Sequence, residues 1–227
     1  MNIYAHLVIA AELEARLRPE DSAAYYWGAV APDVRYLAGM RRNQTHLPPE
    51  KIGQYMLQYP HLKAFLQGYL IHCLTDEIDL TAILYRRFPF SLLKGKLSAR
   101  QVAVLFELFY LENVTLNKTL SGGYNAVLAE MGISETQAET FVQAVTQYLS
   151  SPSFVAAISL AQQLGMLDDR RIDRYLAEAE QFQKSRIQKN CLFFCIRTGK
   201  MSRQIVAAVA VSLINLLPGH PASVDQP

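Results

Sequence analysis

The sequence predicts an all-α protein, a multi-helix single domain. Apolar residues recur at helical spacing along almost the whole chain. Prolines, glycines and capping residues fall where one helical stretch should give way to the next. Apolar residues make up 51% of the 227, enough to build a sizeable core and too many for a disordered chain.

The first helix is expected over Tyr4 to Leu17, stopped by Pro19. Ser22 to Leu37 continues the pattern, but Pro32 lies inside "GAVAPDVRYL", so a kink or two short segments are expected. Arg41 to Pro49 is a polar connection, and Pro48 and Pro49 open a short helix from Glu50 to Gln58. The strongest pattern covers about 61–87, with Gly68 as its weak point and Pro89 as its stop. Its segment "FLQGYLIHCLTDEIDLTAILY" is apolar on more than one side, as expected of a central helix. Further helices are expected over Leu97–Leu111, Tyr124–Met131, Ser153–Leu164, Ile172 to about Ile196, and Ser202–Leu217. Ser134 and Gln137 form a capping-box pattern for another helix reaching Tyr148.

There is no repeat, low-complexity tract or long linker. The expected domain spans 1–217, with a chemistry-bearing half over 1–112 and covering helices over 121–217. Residues 218–227 read as a tail.

Several classes are disfavoured. A net charge of +2 is too small for a nucleic-acid binder. No run reaches the roughly 18 apolar residues of a membrane span. The opening "MNIYAHLVIAAELEARL" has no basic leader, so a cytoplasmic location is expected. The three cysteines, Cys73, Cys191 and Cys195, read as buried thiols rather than a disulfide scaffold. The basic stretch "KSRIQKNCLFFCIRTGKMSR" beside the apolar Ile205–Leu217 run admits two readings: a terminal helix with a solvated face, or a peripheral contact with an anionic membrane.

The chemistry-bearing residues gather early. Four of the five histidines, His6, His46, His61 and His72, lie in the first 72 residues. His72 and Asp76 stand at i,i+4 in "LIHCLTDEIDL", on one helix face. Imidazole and carboxylate suit a divalent cation, and they equally suit a buried hydrogen bond. Asp33 sits among apolar and small residues, where an unpaired charge is costly. His46 ends "NQTH" in the polar connection, and His6 stands among apolar residues in the first helix. His61 precedes His72 by about three helical turns, too far to share an ion through one straight helix.

In order, these elements resemble the bacterial zinc-dependent phospholipase C family. They are His6 in a first helix, "GAVAPD" from Gly28 to Asp33, "QTH" ending at His46, and "GYLIHCLTD" from Gly68 to Asp76. The resemblance covers roughly residues 1–87. It implies a helical phosphodiesterase with clustered zinc ions. By that resemblance, Asp33, His46, His72 and Asp76 would hold one ion, and Asp76 would bridge to a second, which His6 would also ligate. A hydroxide between the ions would attack phosphorus, so the resemblance makes Asp33 and Asp76 both ligands and expected catalytic residues.

The chain departs from the family downstream, where no histidine follows Asp76 until His220. Glu77, Asp79, Glu107 and Glu112 are the candidate replacement oxygen ligands. With them, a divalent metal other than zinc becomes more plausible, while zinc, as one or two ions, remains the expected cofactor. Thr45 and Thr75 are candidates to orient the ligands or a water, and Arg35, Tyr36 and Arg41 to meet an anionic phosphate. The expected function is metal-dependent hydrolysis of a phosphoester, with a small-molecule or lipid-like substrate. The alternative is a non-catalytic helical protein that keeps a single structural ion.

Overall fold

A computed structural model of the protein describes residues 3–79, 107, 109–111, 113–167, 173, 177 and 200–216. Every regular element among them is helical, as the sequence predicts. In order these are α1 (Ile3–Leu17), α2 (Ser22–Gly28), a 3-10 turn (Ala31–Val34), α3 (Arg35–Ala38), α4 (Arg42–Thr45), α5 (Pro49–Gln58), a second 3-10 turn (Pro60–Leu62) and α6 (Lys63–Asp76). Then follow α7 (Ala126–Glu130), α8 (Glu135–Ser150), α9 (Phe154–Gln163) and α10 (Lys200–Leu216). Residues 107, 109–111 and 113 are also helical.

The local signals act as expected. Pro32 splits the second apolar stretch into α2, the 3-10 turn and α3. Asp21 caps α2, accepting from the Ala24 N–H at 2.9 Å. Gly39, at φ 64°, takes the left-handed conformation that closes α3. The Ser134–Gln137 capping box forms at the start of α8. The polar connection after Met40 holds one extra turn, α4.

α6 is the axis of the molecule. Every residue from Ala64 to Cys73 is buried, so the helix has no solvent face along that length. α1, α2, α5 and α10 pack around it. α8 lies on the Ala31–Ala38 segment. Phe141 of α8 reaches Trp27, the ring centroids 5.9 Å apart.

The helix is shorter than the expected 61–87. It begins after the Pro60–Leu62 turn and ends at Asp76, and residues 77–79 leave it. The physical cause lies outside its own sequence. The Arg42 guanidinium donates to the Asp76 carbonyl at 3.2 Å, while the Ile78 N–H turns back to Thr75 O at 3.2 Å. A cation on the last carbonyls favours a helix C-terminus there. The apolar pattern beyond Asp76 gave no hint of that stop; residues 80–87 lie outside the described residues, as do Cys191 and Cys195 and most of the basic 184–203 stretch.

α2 and α6 cross with their backbones in direct contact. A Cβ on Gly28 would overlap the Phe65 carbonyl oxygen and lie 2.9 Å from the Tyr69 nitrogen. One on Gly68 would overlap the Tyr25 carbonyl oxygen and lie 2.8 Å from the Ala29 nitrogen. Each glycine is therefore the recess for the other helix's backbone. Gly53 in α5 has open space around its missing Cβ. Gly68→Ala is expected to destabilise the protein by about 3 kcal/mol or more, because rigid backbone has to move. Gly53→Ala is expected to stabilise it by about 0.5–1 kcal/mol. Chemical denaturation of the two variants checks both signs.

Candidate metal centre

Five of the residues singled out in the sequence meet in space. α1 brings His6, the 3-10 turn brings Asp33, the residue after α4 is His46, and α6 brings His72 and Asp76. Their ligand-type atoms form two overlapping sets, His6–Asp33–His72 and His46–His72–Asp76, each within 4.8 Å. His6 and His72 have no exposed surface, and Asp76, the most accessible side chain of the five, is 11% exposed.

His72 is oriented by the glycine crossing. The crossing brings the Ala29 carbonyl to its Nδ1, 2.8 Å away. A carbonyl only accepts, so Nδ1 carries the hydrogen and Nε2 presents a lone pair. Burial, reinforced by the neighbouring His6, holds the His72 pKa well below the ordinary histidine value. The ring is neutral at pH 7. Its Nε2 faces His46 Nε2 at 3.2 Å and Asp76 Oδ2 at 4.0 Å.

His46 is held from behind. Tyr69 of α6 donates its buried hydroxyl to the Thr45 carbonyl, and Thr45 Oγ1 lies 3.3 Å from His46 Nδ1. The other nitrogen, Nε2, reaches Asp76 Oδ2 at 3.0 Å. His6 stacks on His72, with centroids 3.9 Å apart and planes within 12°. Its Nε2 lies 3.2 Å from Asp76 Oδ1, yet out of line for a hydrogen bond. Neither ring nitrogen of this fully buried histidine has a hydrogen-bond partner. Such an orphaned group costs about 1–3 kcal/mol.

The two carboxylates shift in opposite directions. Burial raises the Asp33 pKa, and nearby His6 offsets only part of that. At Asp76 burial also pushes upward, but contacts with His46 and His6 outweigh it and hold the carboxyl well below the usual range. Asp76 directs one oxygen to His6 and the other to His46 and His72. Arg42 adds a guanidinium 3.4 Å from Asp76 Oδ2 and also pairs with Glu77. Arg35 Nε lies 3.7 Å from Asp33 Oδ1.

The other candidates fall elsewhere. Glu77 points to Arg42 with its side chain 78% exposed. Neither set includes Asp79. Glu112 and His220 lie outside the described side chains. His61 sits on the second 3-10 turn against the Tyr59 ring. Thr45 supports His46 rather than a carboxylate, and the Thr75 hydroxyl is buried without a partner.

Glu107 proves to be a brace instead of a ligand. Its buried carboxylate accepts from the Tyr4 N–H at 3.3 Å, the Ala5 N–H at 3.0 Å and the Tyr148 hydroxyl at 3.2 Å. Two first-turn N–H groups of α1 are thereby satisfied from a distant helix, immediately before His6. Sequence reasoning also missed Arg42. Both contacts join residues far apart in the chain, and neither leaves a spacing signal.

The fold and these side chains define a class: an all-α protein with a buried histidine–aspartate cluster whose donor atoms are of the types that could hold a metal ion. No family model matches the chain, and no curated protein or solved structure matches it.

Burial raises the Glu107 pKa to about 7 despite three donated hydrogen bonds. An acid whose pKa is higher folded than unfolded binds more protons when folded. Its contribution to stability therefore falls as pH rises from about 4.5 to about 7. His72, with a lowered pKa, works in the opposite direction over part of that window, so the difference between variants is the clean readout. The stability of wild type minus that of Glu107→Gln is expected to decline across pH 4.5–7 and then level off. Urea melts of both proteins at stepped pH measure it.

Proposed function

We propose that the protein is a metal-dependent hydrolase of phosphate esters, with His6, Asp33, His46, His72 and Asp76 as the ion ligands. The observation that carries this is His6. A histidine with no exposed surface keeps two nitrogens without hydrogen bonds, beside a carboxylate and a stacked imidazole. A divalent ion gives such a group the partner it lacks.

The donor set fits. His72 has one free lone pair, at Nε2, so it serves one ion. Asp76 has two oxygens turned to different histidines, which supports its role as the bridge between two ions. The resemblance to zinc-dependent phospholipases C also gives Asp76 the bridging place, but it puts Asp33 with His46, whereas here Asp33 groups with His6 and His72. A pair of divalent ions held here would acidify water and neutralise charge developing on a phosphoryl group. The chain's own contribution is to hold the ligands. Ala29 O fixes the His72 tautomer, Thr45 backs His46, and Glu107 secures the start of α1 next to His6.

Burial favours a second reading, a single structural ion in a closed site, since catalytic ions keep an open position. Metal content separates the two. Protein purified without chelator or added metal is expected to carry two equivalents by plasma mass spectrometry, lose them in His72→Ala, and hydrolyse p-nitrophenyl phosphate esters. One equivalent without turnover supports the structural ion. No metal, with His72→Ala only modestly less stable, leaves a core hydrogen-bond cluster and ends the hydrolase reading.

A further inference from the structure

The cluster has a cationic side with its own architecture. Arg35 follows Asp33 by two residues, at the start of α3, and its side chain is only 16% exposed. Its guanidinium lies over the neighbouring Tyr36 ring, 3.9 Å from the centroid. Nη2 donates to the Tyr36 hydroxyl, the one hydrogen bond the Arg35 side chain makes among the described residues. Nε is buried with no hydrogen-bond acceptor, since Asp33 Oδ1 at 3.7 Å is too distant. The guanidinium is thus held against Tyr36 while its buried Nε–H goes unused.

The neighbouring arginines differ. Arg42 is committed to the Asp76 carbonyl, the Asp76 carboxylate and Glu77. Arg41 is exposed at the start of α4. Tyr36 is half-buried, and burial with the nearby Asp33 pushes its pKa to about 12. Its hydroxyl keeps its hydrogen at neutral pH. It accepts from Arg35, so that hydrogen remains to be donated.

We propose that Arg35 and Tyr36 form the subsite for the phosphoryl oxygens of the substrate, beside the Asp33 edge of the metal cluster. This rests on the metal reading above and assigns it a substrate-binding device. Once Asp33 ligates a cation, its charge is shared and its pull on Arg35 weakens. The Nε edge of the guanidinium then faces the centre with donors in the fork geometry that suits a phosphate. The stacked Tyr36 ring holds the fork in plane at little entropic cost, and its hydroxyl supplies another donor. Arg35 and Tyr36 bind and orient the anion; neither needs to exchange a proton.

Inorganic phosphate is the probe. It is titrated calorimetrically at neutral pH into zinc-loaded full-length protein, with metal per chain measured on every sample. Arg35→Gln is expected to weaken phosphate binding about 10- to 100-fold, the range for a lost charge-assisted contact. Arg35→Lys, which keeps the charge without the fork, and Tyr36→Phe are expected to weaken it several-fold. Arg41→Gln is expected to bind as the unmodified protein does, and all four variants to keep their metal. Arg35→Gln binding phosphate no more weakly than Arg41→Gln, with metal retained, overturns the subsite alone. Loss of metal from the Arg35 variants also overturns it, because Arg35 would then act by supporting Asp33. Unmodified protein that takes up no zinc overturns the metal reading and the subsite with it. Should Arg35→Gln fold poorly, Arg35→Lys and Tyr36→Phe carry the test.

Discussion

The backbone contact between α2 and α6 is the constraint on which the rest depends. Two helices meet without side chains between them only where each offers a glycine, and Gly28 and Gly68 face each other's chains in this way. The approach brings the Ala29 carbonyl within hydrogen-bond reach of His72. It also carries the following turn, with Asp33, against the same stretch of α6. A wider crossing would leave that carbonyl short of the imidazole and free its tautomer. Packing at the most buried point of the fold thus sets the chemistry of a side chain one turn away.

Around that point the molecule gathers more acceptors than it has hydrogens to share. His72 presents a lone pair, Asp76 carries two anionic oxygens, and His46 Nε2 has to choose between them. In water such a collection would be solvated. Here it is almost wholly buried, and the His6 nitrogens are left without a hydrogen-bond partner beside the Asp76 carboxylate. Native interiors seldom tolerate this without compensation, because each unpaired polar group retains its desolvation cost. On the metal reading proposed above, a cation would be that compensation, using all five side chains together. The opposite shifts of Asp33 and Asp76 describe the same imbalance: the histidines gather around Asp76, and Asp33 is left with burial and a guanidinium beyond hydrogen-bond range.

The supports of the site come from parts of the chain with no chemistry of their own. Glu107 holds the first turn of α1 and ties it to Tyr148 on α8. Tyr4, in the same turn, donates to the Val114 carbonyl at 2.6 Å. His6 is therefore fixed by elements more than a hundred residues away. The second half of the protein acts on the centre through α1 and through the cover that α8 places over the Asp33 turn. Buried hydrogen bonds of this kind restrict a side chain's position without touching it, as supporting contacts do in metal sites generally.

Much of this was legible in the sequence because it depends on near neighbours. The helical period, the Pro32 break, the Ser134–Gln137 capping box and the His72–Asp76 spacing are relations within a few residues, and local geometry enforces them. The convergence of His6, Asp33 and His46 on that pair was readable only as an ordered resemblance, since no spacing rule links separate helices. What the sequence alone determined is the helical class, most helix boundaries and the residue types available for chemistry. Tertiary structure decided where α6 stops, because Arg42 caps it from another element. It gave Glu107 a bracing role, because that carboxylate meets the N–H groups of α1 before it can reach the cluster. It also separated Arg35 from Arg41 and Arg42. Each of these depends on which polar groups remain unpaired once the chain has closed on itself, a quantity that exists only in three dimensions.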